Sequence, residues 1–157
     1  MSVAFRRESD EEHKEPAFEL PLPPGPNLVT RAGLALIEAR RDAAQAAVDA
    51  ASGEEEVKRL RRDLRYWHTR AGTAELQPAP VGDVVAFGAR VRFRLNGQER
   101  TIALVGSDQA DQAAGLVPFT APLAQAMMGA EIGECVDFAG KPEAIEILAI
   151  EALEPEG

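Results

Sequence analysis

Two hydrophobic periods divide the chain. Leu34, Ile37, Arg41, Ala44, Val48 and Ala51 are spaced three and four residues apart, and Val57, Leu60, Leu64, Trp67, Ala71 and Ala74 repeat that spacing. Such alternation predicts two heptad-patterned helices. Ser52-Gly53-Glu54-Glu55 separates them, and Ser52 with Glu55 three residues on fits a capping box for the second helix, with Gly53 at its first position. So short a turn folds the helices back into an antiparallel coiled-coil hairpin over residues 28–76. Its seam is thin near the turn (Ala44, Val48, Ala51, Val57) and thicker at the base (Leu34, Ile37, Leu64, Trp67).

Beyond Gln77-Pro78-Ala79-Pro80-Val81-Gly82-Asp83, a proline-punctuated linker, the period changes to two. Arg90-Val91-Arg92-Phe93-Arg94-Leu95 alternates like a half-buried strand. Asn96-Gly97 predicts a type I′ hairpin turn, returning through Arg100–Val105. Short strands follow over 116–119 and 134–138, with a helix from Pro122 to Met128 that Thr120 could N-cap. A last strand covers 144–153, with Ile145, Ile147, Leu148 and Ile150 facing the sheet. The predicted class is α+β: an N-terminal antiparallel coiled-coil hairpin, then an antiparallel sheet domain with one short helix over 84–153. Residues 1–27 read as a disordered, acidic, proline-rich tail, or as a peptide docking Phe5, Phe18, Leu20 or Leu22; residues 154–157 read as a short C-terminal tail.

Composition narrows the function classes. No apolar run approaches the ~18 residues of a membrane span, and the start carries no apolar signal segment, so a cytoplasmic monomer is expected. One cysteine and two histidines exclude a disulfide scaffold and a Cys- or His-based metal centre, and no cofactor motif is present. The net charge of −9 argues against a general duplex-DNA binder. Only residues 28–75 carry more cations (nine) than anions (eight), so a phosphate-facing surface belongs there.

Candidate chemistry is sparse, and no catalytic signature appears. Cys135, flanked by Val136 and Phe138, reads as a buried structural thiol, and His68 as a helix-face residue. Asp49, Glu54, Glu55 and Glu56 gather carboxylates at the hairpin tip, where they either complement the helix dipole or share a cation with another site. The run Lys58, Arg59, Arg61, Arg62, Arg65 is either a solvated face or a contact for nucleic acid or an acidic protein surface.

Several segments, in order, resemble the bacterial GreA/GreB transcription elongation factors, GreB in particular. Leu28-Val29-Thr30-Arg31-Ala32-Gly33-Leu34 resembles the opening of their first helix, and Arg61-Arg62-Asp63-Leu64-Arg65-Tyr66 the end of their second. Val85-Ala86-Phe87-Gly88-Ala89-Arg90-Val91 resembles their entry into the C-terminal domain, and Val105-Gly106-Ser107-Asp108-Gln109-Ala110-Asp111 their V-G-x-D-E-A-D segment. Pro122 to Met128 and Ile132-Gly133-Glu134 are similar to a proline-led helix and a following V-G-D. The resemblance implies a coiled-coil hairpin and an FKBP-like C-terminal domain. It implies RNA polymerase as partner, bound at the rim of its secondary channel through Phe119, Thr120, Ala121, Pro122 and Leu123. Lys58, Arg61, Arg62 and Arg65 would then face nucleic acid or channel wall.

The chain departs from the family at the tip. The family's G-D-x-x-E-N-A-x-Y is replaced by Gly53-Glu54-Glu55-Glu56-Val57, and Thr120-Ala121 stands where Asp-Ser is common. The hairpin is shorter by ~10 residues per arm, or ~15 Å of reach. The expectation is therefore a polymerase-binding modulator of elongation that is not itself an enzyme and does not strongly stimulate RNA cleavage. The alternatives are a non-cleaving regulator similar to the regulator of nucleoside diphosphate kinase, an FKBP-type prolyl isomerase, and an adaptor using the proline-rich tail.

Overall fold

The computed structural model describes residues 19–155. Two 20-residue helices, α1 (Arg31–Ala50) and α2 (Glu54–Thr73), follow one another across three residues. All twelve heptad positions named above are half-buried or buried, so the spacing reports the covered face of each helix. The Arg40 guanidinium sits over the Trp67 ring at 5.6 Å from its centroid, a cation–π contact between the helices. The turn differs from the expected capping box. Gly53, at φ +98, is the N-cap of α2: its carbonyl accepts the Val57 N–H at 3.0 Å. Helix α2 thus begins one residue later than a Ser52-based box requires, because only glycine takes that left-handed turn without strain.

Two short strands flank the helix pair. β1 (Leu28–Val29) runs parallel to β2 (Glu75–Leu76), with Leu28 opposite Glu75 and Val29 opposite Leu76. Both fall inside the expected hairpin, where two-residue strands leave no periodicity to read. The chain divides into two compact units: Ile37–Thr73 with the preceding residues 19–24, and Gly25–Leu36 with the chain from Ala74 onward. Among the described residues no helix is long and apolar enough to cross a membrane.

The second unit holds a five-stranded sheet ordered β5-β4-β3-β7-β6. Its strands are β3 (Ala89–Leu95), β4 (Gln98–Val105), β5 (Leu116–Pro118), β6 (Cys135–Phe138) and β7 (Lys141–Ala152). Asn96 (φ 50) and Gly97 (φ 88) supply the two positive φ values of the predicted turn between β3 and β4. The sheet is mixed rather than wholly antiparallel, since β5 pairs parallel to β4. Ten residues, including a 3₁₀ turn at Gln112–Ala114, recross the strand before β5 begins. A three-residue strand cannot disclose its direction through alternation. A bulge falls on β7, where Arg92 pairs with Ala149 and Phe93 with Ile147. Leu148 is the extra residue and is half-buried, so the side-chain phase shifts there and Ile147 and Ile150 both face the core side.

The core gathers Val91, Phe93, Leu104, Ile145 and Ile147 from the sheet and Ala124 and Met127 from α3 (Pro122–Met127). Each fully buried large side chain contributes roughly 1.5–3 kcal/mol. Ala124 and Met127, three apart, turn one face of α3 inward. Ala121 rather than Thr120 is the N-cap of α3, with Pro122 at its first turn. The pyrrolidine presets φ there and needs no donor, which makes a side-chain cap dispensable. Cys135 is exposed rather than buried: on edge strand β6 it alternates outward with Asp137 while Val136 and Phe138 turn inward.

Candidate functional site

Three surfaces carry the residues singled out above. The first surrounds the start of α1. Thr30 is its N-cap: the Thr30 carbonyl accepts the Leu34 N–H at 2.9 Å, and Oγ1 accepts the Gly33 N–H at 3.0 Å. The same hydroxyl donates to Gln109 Oε1 at 2.7 Å. The remaining first-turn amides, Arg31 and Ala32, donate to the two Glu154 carboxylate oxygens at 2.9 and 2.8 Å. Three of the four amides that a helix start leaves orphaned are thus bonded, two of them to a negative charge that suits the dipole. Beside this, an added Cβ on Gly106 would meet the Leu28 carbonyl oxygen at 2.3 Å. Glycine is what lets the Gly106–Asp111 loop lie against β1. The segment Val105–Asp111 thereby fixes where α1 begins.

The second surface is the turn into α3. Phe119 is 7% exposed and packs edge to face on Phe87 at 5.4 Å, so it supports the turn from within. Gln125 Nε2 donates to the Phe119 carbonyl at 2.7 Å and ties the helix to that turn. Thr120 and Pro122 are exposed, while Ala121 and Leu123 are half-buried. Of the five residues picked from sequence, Thr120 and Pro122 offer the most outward surface.

The third surface is α2. Lys58, Arg61, Arg62 and Arg65 fall within about 100° of one another at 3.6 residues per turn, making one basic stripe. Lys58, Arg61 and Arg65 are exposed; Arg62 is half-buried, 3.6 Å from Asp63. The Arg62 Nε is buried and has no hydrogen-bond acceptor among the described residues. Arg65 makes a two-pronged bond to Glu19, Nε to Oε1 at 3.1 Å and Nη2 to Oε2 at 2.5 Å. That hydrogen bond holds the Glu19 carboxyl below its ordinary value. A groove of about 640 Å³ runs beside the stripe, from Glu19 and Arg65 to Glu55 and Glu56.

At the far end of the helices, Asp49, Glu54, Glu55 and Glu56 are all exposed. Asp49 accepts from Gln45 Nε2 at 3.0 Å, and the three glutamates occupy the first turn of α2. Among the described residues no three His, Cys, Asp or Glu side chains come together in a way that could hold a metal ion. Successive glutamates on a helix diverge by about 100°, which scatters their carboxylates. His68 is exposed. Leu20 and Leu22 are also exposed, whereas Phe5 and Phe18 lie outside the described residues. Sequence reasoning missed Glu154, placed in a tail, and Glu19, one charge among many. The Thr30-x-x-Gly33 spacing was the available signal for the cap.

Comparison with known proteins bears on the sheet domain. The family model "Transcription elongation factor, GreA/GreB, C-term" matches residues 79–152. Transcription elongation factor GreA of Rhizobium etli is 34% identical over 73 residues, 44% of this chain and 46% of that protein. GreA of Sinorhizobium medicae is 34% identical over 74 residues, 45% of this chain and 47% of its own. The chain spans about half the length of the curated relatives it matches. The crystal structure of GreA factor homolog 1 of Thermus thermophilus aligns with 82% of this chain and 100% of its own at 14% identity, with a TM-score of 0.37. Residues 79–152, just under half of the chain, are thus similar to the C-terminal domain of the GreA/GreB transcription elongation factors.

Proposed function

We propose that this chain is a Gre-type factor that binds RNA polymerase as a cytoplasmic monomer and modulates elongation from the rim of the secondary channel. The observation that supports the reading is the match of residues 79–152 to the GreA/GreB C-terminal domain, in a unit that also holds the firmly capped start of α1. In this reading the FKBP-like domain seats Thr120, Ala121, Pro122 and Leu123 on the polymerase, with Phe119 as internal support. Helices α1 and α2 form a coiled-coil hairpin that enters the channel, and Lys58, Arg61, Arg62 and Arg65 face its acidic wall or the nucleic acid within. An interface core of small and apolar groups suits a protein partner.

The family's cleavage chemistry uses tip carboxylates to help hold a Mg²⁺ ion. The tip here does not fit that role, because its glutamates diverge and each helix is only about 30 Å long. A carboxylate must come within about 2 Å of a Mg²⁺ ion to ligate it. The reading is therefore of a factor that occupies the channel without strongly promoting cleavage, as a short-hairpin regulator would. A prolyl isomerase is less well supported, because Phe93 is fully buried and Phe87 and Phe119 pack on each other.

The test is binding to RNA polymerase core enzyme. Thr120→Asp with Pro122→Glu changes two exposed positions and places acid at a helix start, where the dipole favours it. The double variant should bind at least about tenfold more weakly, which is about 1.4 kcal/mol, with its melting temperature unchanged. Undiminished binding would overturn the docking. Backtracked complexes carrying labelled RNA should show little added cleavage with the parent protein; strong shortening that disappears in Glu54→Ala/Glu55→Ala would overturn the second half.

A further inference from the structure

Strand β2 leaves one edge open. Its Glu75 and Gln77 amides donate to the Asn27 and Val29 carbonyls at 2.8 and 3.0 Å, so the N–H and C=O of Leu76, between them, point away from β1. The sheet has two strands, and Leu76 is 51% exposed. Leu76 also lines a cavity of about 370 Å³, within the size range of ligand sites. Pro78, Pro80 and Phe87 join it as apolar walls. Phe87 is buried and braced edge to face by Phe119, so the aromatic wall is fixed before any ligand arrives. The polar lining is Thr30, Arg31, Gln77 and Glu154. The Thr30 hydroxyl is bonded to Gly33 and Gln109, and both Glu154 oxygens accept α1 amides. Arg31 is the single cation among the described residues of the lining, and it is exposed.

We propose that this cavity and the open edge of β2 together form a docking site for an extended segment of a partner protein. The segment's backbone pairs with Leu76, a large apolar side chain enters the cavity, and a neighbouring carboxylate meets Arg31. An open N–H and C=O pair recognises a peptide rather than a bare hydrocarbon. The apolar walls favour an aliphatic or aromatic side chain, whose burial drives the association. The Glu154 charge is already held by two amides, so the charge that faces an incoming segment is positive and its complement is acidic. Pro78 and Pro80 have no N–H, so pairing stops after Leu76. The edge therefore takes one short segment and does not invite indefinite strand addition.

The experiment needs no polymerase, so its outcome is separate from the reading above. The probe is a blocked tetrapeptide, alanine–leucine–aspartate–alanine, titrated to about 5 mM into the isotope-labelled full chain. The amide signals of Leu76 and Gly88 should shift, and hydrogen exchange at the Leu76 amide should slow, while signals from β6 stay unchanged. Glycine in place of the leucine should abolish the shifts. Lysine in place of the aspartate should weaken binding about threefold to fivefold. Arg31→Glu, which keeps the backbone amide bonded to Glu154, should reverse that preference, and the milder Arg31→Gln should erase it. No shift at these amides, shifts that survive loss of the leucine, or equal binding of the aspartate and lysine peptides to the parent chain would overturn the proposal. So would isocaproate, an isobutyl group on a free carboxylate, binding as tightly as the peptide, because the open edge would then contribute nothing.

Discussion

Replacing Thr30 by alanine removes one oxygen and breaks two bonds at once. Its hydroxyl takes the Gly33 amide and gives its proton to Gln109, at a position only 4% exposed. Loss of an N-cap costs typically about 1 kcal/mol, and loss of a net hydrogen bond costs about 1 more. Water cannot readily replace either partner, so the two add to about 2 kcal/mol. For a chain of this size that is a fall of about 4–8 °C in melting temperature. Urea unfolding followed by far-UV circular dichroism should show the midpoint drop with its slope unchanged. Thr30→Val keeps the shape without the hydroxyl and should lose nearly as much, whereas Thr30→Ser should recover most of it. A Val variant within ~0.5 kcal/mol of the parent would refute the reasoning, because the cap would then be ornamental. So would a Ser variant as weak as Ala, which would place the effect in the methyl group.

Other outcomes follow from neighbouring contacts. Gly106→Ala puts a methyl 2.3 Å from a backbone oxygen that cannot swing aside; a cost in the overpacking range of about 1–3 kcal/mol is expected. Hydrogen exchange should also quicken at the Glu75 and Gln77 amides that bond to Asn27 and Val29, and unchanged exchange there would contradict the close-approach argument. Because Arg65 holds Glu19 below its ordinary value, the ion pair should be intact above that value and be lost only as pH falls through the lowered one. A carbon-detected titration of the Glu19 carboxyl should accordingly show its midpoint below the ordinary glutamate value, and a midpoint at or above it would remove the ion pair from the picture. On the proposed function, reversing exposed Arg59 and Arg61 to Glu should slow association with RNA polymerase mainly at low salt, and equal slowing at high salt would indicate a folding defect.

Much of the fold could be read in advance where side chains repeat. The 3-4 spacing picked positions that are all half-buried or buried, though it passed over Arg70, which is buried on α2, and Asn96-Gly97 fixed a turn because few residue pairs tolerate two positive φ values. What escaped reading rests on single encounters between distant parts of the chain. Leu28 and Val29 pair with Glu75 and Leu76 in strands too short to show a period. Glu154 finds the α1 amides 122 positions away, and Glu19 finds Arg65 across 46. The direction of β5 depended on a ten-residue excursion, and the exposure of Cys135 on the edge position of β6. Of the candidate surfaces, the basic stripe was visible as charge at helical spacing. The α3 turn was visible only through its likeness to a family, and Phe119 was counted as surface because sequence does not tell an outward phenylalanine from one propping a loop.

The symmetry of the helix pair sets a rule for how its length can change. Each helix has 20 residues, and one residue joins each to its short strand, Thr30 on one side and Ala74 on the other. The register of β1 against β2 acts as a ruler across both arms. In the proposed coiled-coil hairpin, an insertion in one arm alone would drag Leu28 off Glu75 or roll the heptad face out of the seam. Matched insertions of seven residues per arm avoid both faults, each adding about 10.5 Å of length. Length in this architecture is therefore inherited in discrete, doubled steps. A lengthened chimaera can be built with the capped base, from Thr30 to Glu154, left untouched.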